Sequence, residues 1–526
     1  MVCLGSKGEM NMDKLSPITY GAAVAAAEEI LANASGVTDA VITEKTNSAV
    51  KLYLADNRPI FDTFPNEVII VAMKDDSTFE TRGFYEVGDG AECMYLVTSA
   101  WKPNSILVGT KYVIPLLGND GEIKVQYFGI RTGEEYADFN STIITSILNR
   151  IDFGSVLKFP TGHFYFSSTI DLTTGKKQLS LIGSGSSFTS DENTSGMTWL
   201  HFPTLAENGV GIAIGTGTLK DIIVCGNSTS YSCSLDRTKT YTASDSIVTE
   251  TATIKAYGIK GGTMTTITNV AVMYFYWGMY INTNNVYITD VNFRSCHYGL
   301  TVGNDIKIKG LYGWNVMILL QIRGSISSVN QVRGDSIGLH LVEIASGSGV
   351  NLSDLDADYC IKSVVKIGDD ATWTTHSSIV INGIHGRACV GKTYDVENDP
   401  VPSAQDITAD TLHDYPLISI AAKTTVQGLA VTCGNAGGAN PLDKTSNYLT
   451  PNILLCAGAN SKLQGAVFNM ADATIALTKD WLMQKIHSLS TYSDCVQASI
   501  NADKGCLYYK KSYETITASK ATTEDI

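Results

Sequence analysis

Apolar and polar positions alternate with period two in short runs, and between residues 257 and 365 the runs themselves return about every twenty residues. One run opens on an aromatic residue or isoleucine and continues as an alternating segment: Tyr257-Gly258-Ile259, Trp277-Gly278-Met279-Tyr280-Ile281, Tyr298-Gly299-Leu300-Thr301-Val302, Ile318-Leu319-Leu320-Gln321-Ile322 and Ile337-Gly338-Leu339-His340-Leu341. Its steps are 20, 21, 20 and 19 residues. A second run keeps the same period, two apolar residues flanking a polar pair: Ile267 with Val270, Ile288 with Val291, Ile308 with Leu311, Val329 with Val332, and Leu352 with Leu355. A repeat of this length without a helical stripe predicts one coil of a β-solenoid, whose apolar interior is buried only when coils stack. Further copies of the second run, Leu219 with Ile222, Ile381 with Ile384, Val426 with Leu429 and Leu463 with Ala466, extend the solenoid over about 121–475. The expected fold class is all-β, a parallel β-helix, preceded by a region 1–120 and followed by a region 476–526.

Outside the repeat the pattern changes. Residues 17–34 predict one helix with a small-residue surface that packs against a neighbouring subunit or against the body. Short strands are expected at 50–54, 67–73, 94–98 and 111–117, and an amphipathic helix at Ile143, Ile144, Ile147, Leu148 and Ile151. The Ser/Thr-rich segment 226–253 and the segment 391–414 interrupt the coils as loops, the first protruding. A short helix is expected at 481–489 and strands at 508–519.

Composition narrows the functional classes. With 47 glycines and 17% charged residues in 526, the chain suits short strands and turns. Its formal net charge of −14 opposes nucleic acid and anionic membranes as bulk partners, whereas a neutral polymer stays open and an acidic one needs local cations. The 11 cysteines include no CxxC pair and read as buried thiols formed in a reducing cytoplasm. The alanine-rich run 22–34 is broken by Glu28 and Glu29, so neither an ordinary signal peptide nor membrane insertion is expected.

Two stretches carry a family resemblance. Gly83-Phe84-Tyr85-Glu86-Val87-Gly88-Asp89-Gly90 resembles a segment that precedes the β-helix in phage tail proteins. Val125-Gln126-Tyr127-Phe128-Gly129-Ile130-Arg131, the helix after it, Phe159-Pro160-Thr161-Gly162-His163-Phe164 and Leu181-Ile182-Gly183-Ser184-Gly185 follow in an order similar to the head of pectate-lyase-like phage tailspikes. The chain departs from that family at Thr132-Gly133-Glu134-Glu135, where an Asp pair after Gly-Asp-Gly is usual. The resemblance implies a right-handed β-helix whose helix caps the open end, a homotrimer, attachment to other virion tail proteins through the region before residue 120, and synthesis in the host cytoplasm. It also implies binding of a bacterial surface polysaccharide, with depolymerisation and binding alone both left open. A purely structural or adhesive tail protein and a cellular pectin-type lyase or hydrolase are the alternatives.

Strand alternation then locates candidate chemistry. If Phe293, Gly313, Gly334 and Ala357 point inward, two outward columns follow, Asn292, Tyr312, Arg333, Asp356 and Arg294, Trp314, Asp335, Asp358. Rings, guanidinium groups and carboxylates on one face suit a sugar polymer. Asp335, Asp356 and Asp358 are the candidate acid and base groups, since glycoside hydrolysis needs carboxylates about 5–9.5 Å apart; Asn292, Arg294, Tyr312, Trp314, Arg333 and His340 are candidate binders. His340 is expected in a neighbouring solvent-facing column with Tyr280, Thr301, Gln321 and Lys362. A solvated acidic patch or a cation site is the competing reading. Asp354-Leu355-Asp356-Ala357-Asp358 is not an EF-hand, lacking glycine at Tyr359 and glutamate at Val365, and Asp354 belongs to a turn column with Asn269, Asp290, Gly310 and Gln331. No metal spacing or cofactor motif is present, so no cofactor is expected.

Overall fold

A computed structural model describes residues 59–116, 122–186, 196–235, 248–360, 363–369, 372–387, 416–421 and 423–433, and the strands 453–457, 462–464, 467–470, 474–478, 497–501 and 506–510. The expected helices at 17–34 and 481–489 and the insertion 391–414 lie outside these residues. The chain divides into two compact units, residues 1–160 with 174–182 and residues 161–173 with 183–526. Among the described residues no helix is long and apolar enough to cross a membrane.

The first unit holds a five-stranded sheet in the order Ile60–Phe61, Ser77–Thr81, Cys93–Thr98, Lys111–Pro115, Ile106–Val108. Phe61, Phe79, Tyr95, Val97 and Val113 form its core with Ile70 and Met73. Residues 67–73, expected as a strand, instead form helix α1, Glu67–Ala72. The Asn66 side chain accepts from the Ile69 N–H and the Met73 N–H returns to the Ile69 and Ile70 carbonyls. Capping at both ends, with Ile70 buried, overrides the β-propensity of Val-Ile-Ile-Val.

The tail-protein-like segment owes its shape to Asp89, whose carboxylate accepts from the N–H groups of Phe84, Tyr85 and Ala91. The Tyr85 hydroxyl donates to the Gly129 carbonyl at 2.7 Å, and a Cβ on Gly129 would lie 2.7 Å from the Phe84 ring, so this turn has room only for glycine. Helix α2, Ala137–Arg150, buries Ile144, Ile147 and Leu148, with Ile151 as the buried C-cap. Lys177 Nζ donates to the Leu148 and Asn149 carbonyls at 3.1 Å, a cation on the negative end of the helix dipole. Strands Glu122–Lys124, Val156–Lys158 and Ser180–Ile182 pair in parallel within this unit.

The second unit is a right-handed parallel β-helix. The polar-pair run stacks as its spacing requires, Leu219 on Ile267 on Ile288, and Ile308 on Val329 on Leu352 on Ile381. The second polar residue of each pair turns the chain with positive φ: Asn269 at 51°, Asp290 at 52°, Gly310 at 74°, Gln331 at 62° and Asp354 at 55°. Two more corners per coil use the same device, one at Met264, Asn285, Asp305, Ile326 and Gly349, the other at Tyr274, Ser295, Asn315 and Ser336. The small residue in the aromatic-led run has a steric cause, because a Cβ on Gly278 or Gly299 would lie 2.6 Å from the carbonyl oxygen of the coil above.

The register departs from expectation in two places. Val316 pairs with Ile337 but Ile318 with His340, so one extra residue enters the later coil and the fifth copy of the aromatic-led run is His340–Ile344 rather than Ile337–Leu341. In addition, Val426 stacks on His376 and Leu463 on Val426, while Ile381 pairs with Val431. The runs at 426 and 463 therefore continue a different corner, which uses the same left-handed turn at Ser378 and Gly428. At the far end Thr474–Thr478, Cys506–Lys510 and Gln497–Asn501 pair antiparallel.

Of the segment 226–253, expected to protrude as a loop, residues 236–247 lie outside the described residues, and the two flanking runs are strands that pack on the coils. Tyr231–Leu235 and Val248–Ala252 form an antiparallel hairpin, and Tyr231 and Cys233 are buried with Met317 against Tyr276 and Leu339. Cys233 Sγ donates to the Asn315 carbonyl at 2.7 Å and the Leu235 N–H to Asn315 Oδ1. Alternating Tyr231, Cys233 and Leu235 supply an apolar stripe that the surrounding Ser and Thr residues mask in the sequence.

Candidate functional site

Each coil has a short side between the corner at Asn269, Asp290, Gly310, Gln331 and Asp354 and the corner at Tyr274, Ser295, Asn315 and Ser336. On this side Phe293 and Ala357 are fully buried in the interior and Gly313 and Gly334 lie beside them, which leaves the alternate residues on the outer face. Tyr312 pairs with Arg333 and Arg333 with Asp356, while Trp314 pairs with Asp335 and Asp335 with Asp358. Asn292 and Arg294 enter one strand earlier, opposite Ala271 and Met273, and the Arg294 guanidinium lies 4.6 Å over the Trp314 ring. Asn292, Arg294, Tyr312, Trp314, Asp335 and Asp356 are half-buried and Arg333 is exposed. Asp335 accepts from the Ser336 hydroxyl at 3.1 Å. Adjacent strands are about 4.8 Å apart, so these positions form one strip.

His340 belongs elsewhere. The extra residue after Ile337 sets it opposite Ile318, and only 7% of it is exposed. Its Nδ1 lies 2.9 Å from the Ser363 carbonyl and 3.0 Å from the Ser363 hydroxyl, and that hydroxyl lies 2.6 Å from Ser419. The expected solvent-facing column is thereby corrected: Gln321 pairs with Glu343, and Glu343 with Lys366. Gln321 Nε2 donates to Glu343 Oε2 at 2.6 Å, Arg323 Nε donates to Gln321 Oε1 at 2.8 Å, and Lys366 Nζ is 3.7 Å from Glu343 Oε1. Lys362 lies outside the described residues.

Around the corner at Tyr274 and Ser295 stands a cluster that the spacing of carboxylates did not reveal. Tyr257 and Trp277, paired on adjacent coils, stack at 4.4 Å, and Tyr276 stacks on His297 at 4.5 Å. Tyr280 meets Tyr257 edge-on and Tyr298 meets His297. The hairpin adds Glu250, which accepts from the Tyr231 hydroxyl at 2.9 Å and lies 2.7 Å from His297 Nδ1. The hydrogen bond to His297 holds the Glu250 carboxyl below its ordinary value, against the effect of burial. Burial raises the Tyr298 phenol, Glu343 raises it further, and Arg323 opposes both. The legible signal is an aromatic residue opening three successive copies of one run, at Tyr257, Trp277 and Tyr298, the last two preceded by Tyr276 and His297.

No protein-family model and no curated protein matches the chain. Among solved structures it is similar to the enzymatically active domain of tailspike protein 2 of bacteriophage CBA120, with 12% identity, TM-score 0.36, and coverage of 84% of this chain and 55% of that one, so it spans about half that domain's length. It is also similar to the tailspike protein of Acinetobacter baumannii phage AM24, with 9% identity, TM-score 0.38 and coverage of 91% and 83%. A third similarity is to the catalytic unit of the GH87 α-1,3-glucanase of Streptomyces thermodiastaticus, with 12% identity, TM-score 0.38 and coverage of 71% and 69%.

Proposed function

We propose that this chain is a tailspike-type phage tail protein that binds a bacterial surface polysaccharide along the strip and cleaves it there. The observation that carries the reading is the register that stacks Trp314, Asp335 and Asp358 on three successive coils, with Arg294 over Trp314. A ring, fixed cations and carboxylates within a few strand spacings can hold a sugar and serve as acid and base. Asp335 and Asp358 occupy equivalent positions one strand apart, and Asp356 lies two residues from Asp358, about 7 Å by strand rise. That range includes both carboxylate separations used in glycoside hydrolysis. His340, buried on Ser363, takes no part in contacting substrate.

Incubation with the host's surface polysaccharide, with products read by mass spectrometry, tests this directly: a product with an unsaturated sugar means elimination, a saturated one hydrolysis. Asp335→Asn and Asp358→Asn should each slow cleavage by about 10²-fold with binding kept. Wild-type rates in both variants would move the chemistry off the strip. The same reading assigns virion attachment to the region before residue 120 and a homotrimer to the assembled protein. A truncation lacking residues 1–120 should bind glycan yet stay out of particles, and light scattering should give three times the chain mass of 56.5 kDa.

A further inference from the structure

The aromatic cluster beside the hairpin differs from the strip in how its charges are arranged. Its rings stack on one another and on cations: Lys260 Nζ lies 4.2 Å over Tyr257 and Lys255 Nζ 4.7 Å over Tyr276. Tyr257 already stacks on Trp277 beside Lys260, and Tyr276 on His297 beside Lys255, so these rings are engaged rather than free to stack on a neutral pyranose. Arg323, exposed and held by Gln321, acts on the Tyr257 and Tyr298 phenols together, and Lys366 acts on Tyr298 as well. Four cations therefore gather in a chain whose formal net charge is −14.

The carboxylates among them are engaged. Glu250 is bound by His297 and Tyr231 and feels Lys255, and Glu343 is bound by Gln321 with Lys366 beside it. Lys260 and Arg323 have no carboxylate within ion-pair distance among the described residues. A cation over a ring is attracted by the ring's negative face, which holds it in place without neutralising it. We propose that this cluster is a binding site for the carboxylate-bearing sugars of an acidic polysaccharide. Lys260 and Arg323 take the sugar carboxylate, and the hydroxyls of Tyr257, Tyr280 and Tyr298 take its hydroxyls. The inference rests on the reading that the chain binds polysaccharide, and it narrows that reading to an acidic polymer engaged outside the strip.

The test uses the full chain on an array of bacterial capsular polysaccharides of known composition, uronate-bearing and neutral. The strongest ligand is then compared with its own carboxyl-reduced form, in which each uronate has become a neutral hexose. The expected result is that the retained glycans carry carboxylates, that reduction weakens binding by about tenfold or more, and that Lys260→Met with Arg323→Met does the same. Binding should also fall as salt rises from about 0.05 to 0.5 M. Both substitutions keep an apolar stem, and an unchanged thermal midpoint shows that the variant folds. Retention of neutral glycans only, or undiminished binding of the reduced polymer, overturns the proposal. So does wild-type affinity in the double variant while Trp314→Ala loses binding, an outcome that leaves the polysaccharide reading of the strip intact. An array on which the wild type retains nothing removes both.

Discussion

The outer strip has two halves built on the same strands and the same corners, and they differ in what occupies equivalent positions. In the earlier coils Trp199 pairs with Ile223 and Ile223 with Ala271, while His201 pairs with Cys225 and Cys225 with Met273. Trp199, Ile223, Cys225, Ala271 and Met273 are all buried and form a cluster separate from the interior of the solenoid. In the later coils the same columns carry Asn292 and Arg294, then Tyr312 and Trp314, then Arg333 and Asp335, and none of these is fully buried. Backbone geometry does not distinguish the halves. What changes is whether the outer face contributes to folding or stays open, and only the second half can exchange side chains at little cost in stability.

The sharpest way to break the comparison is to place one charge in each half. Met273→Asp puts a carboxylate where 3% of the residue is exposed, and without a partner it should cost more than about 3 kcal/mol of stability by urea titration. Arg333→Ser, on the same strip but exposed, should stay within about 0.5 kcal/mol. Equal losses would mean that the later half is covered as well.

Function should divide the halves in the opposite sense. Trp314→Ala should leave the thermal midpoint nearly unchanged and lower depolymerisation by about 10²-fold, which is about 2.7 kcal/mol of transition-state binding. Cys225→Ala should leave turnover at the wild-type value. A Cys225 variant that loses turnover while folded would join the halves into one site.

The buried half also carries an acid sensitivity. His163, Trp199, His201 and Tyr165 stack in series, and His163 Nδ1 lies 2.9 Å from His201 Nε2. One of these nitrogens must accept, so a proton on both would set N–H against N–H. Burial lowers His201 to about 3, with His163 adding to the effect. The folded state keeps His201 neutral while the unfolded chain takes up a proton near the ordinary value of about 6.5. The unfolded state therefore binds more protons between those limits, and stability is complete above about 6.5 and falls as pH drops towards 3. The loss should approach about 2.7 kcal/mol near pH 4.5, two units below the unfolded value, read from urea midpoints. His201→Gln should flatten the slope in that window; an unchanged slope would place the acid sensitivity elsewhere.

How far the sequence foretells these regions depends on whether a residue acts through period or through partners. Ile267, Ile288, Val329 and Leu352 announce their stacking because the interior demands an apolar residue at each step, and Phe293 and Ala357 follow from alternation. The strip columns inherit that register, which is why Trp314 and Asp335 were legible as neighbours. His340 sits elsewhere than the spacing predicts because one residue inserted after Ile337 shifts everything beyond it, and counting residues cannot tell a bulge from a shorter turn. Glu250 and His297 are 47 residues apart and meet only because the hairpin folds back, a contact without any periodic trace. Helix α1 was hidden by its own Val and Ile residues, whose preference for strands yields to the Asn66 cap.

The smallest expected effect concerns a corner that both halves share in kind. At the corner formed by Met264, Asn285, Asp305, Ile326 and Gly349, every residue has positive φ, and Ile326 holds 60° with 68% of its surface exposed. A β-branched side chain is the least suited to this conformation, since its Cβ crowds the following carbonyl at a cost of about 1–2 kcal/mol. Asn285 and Asp305 show what the corner favours, because a short polar side chain tolerates the left-handed region. Ile326→Asn should therefore raise stability by about 1 kcal/mol. Ile326→Gly should raise it less, because glycine relieves the same strain but loses more freedom on folding. The order Asn above Gly above Ile in thermal midpoints is the expected outcome for the isolated chain. If Ile326 instead packs against a second copy in a trimer, both substitutions lower the midpoint of the assembly, and the strain is then the cost of presenting an apolar side chain to a neighbour.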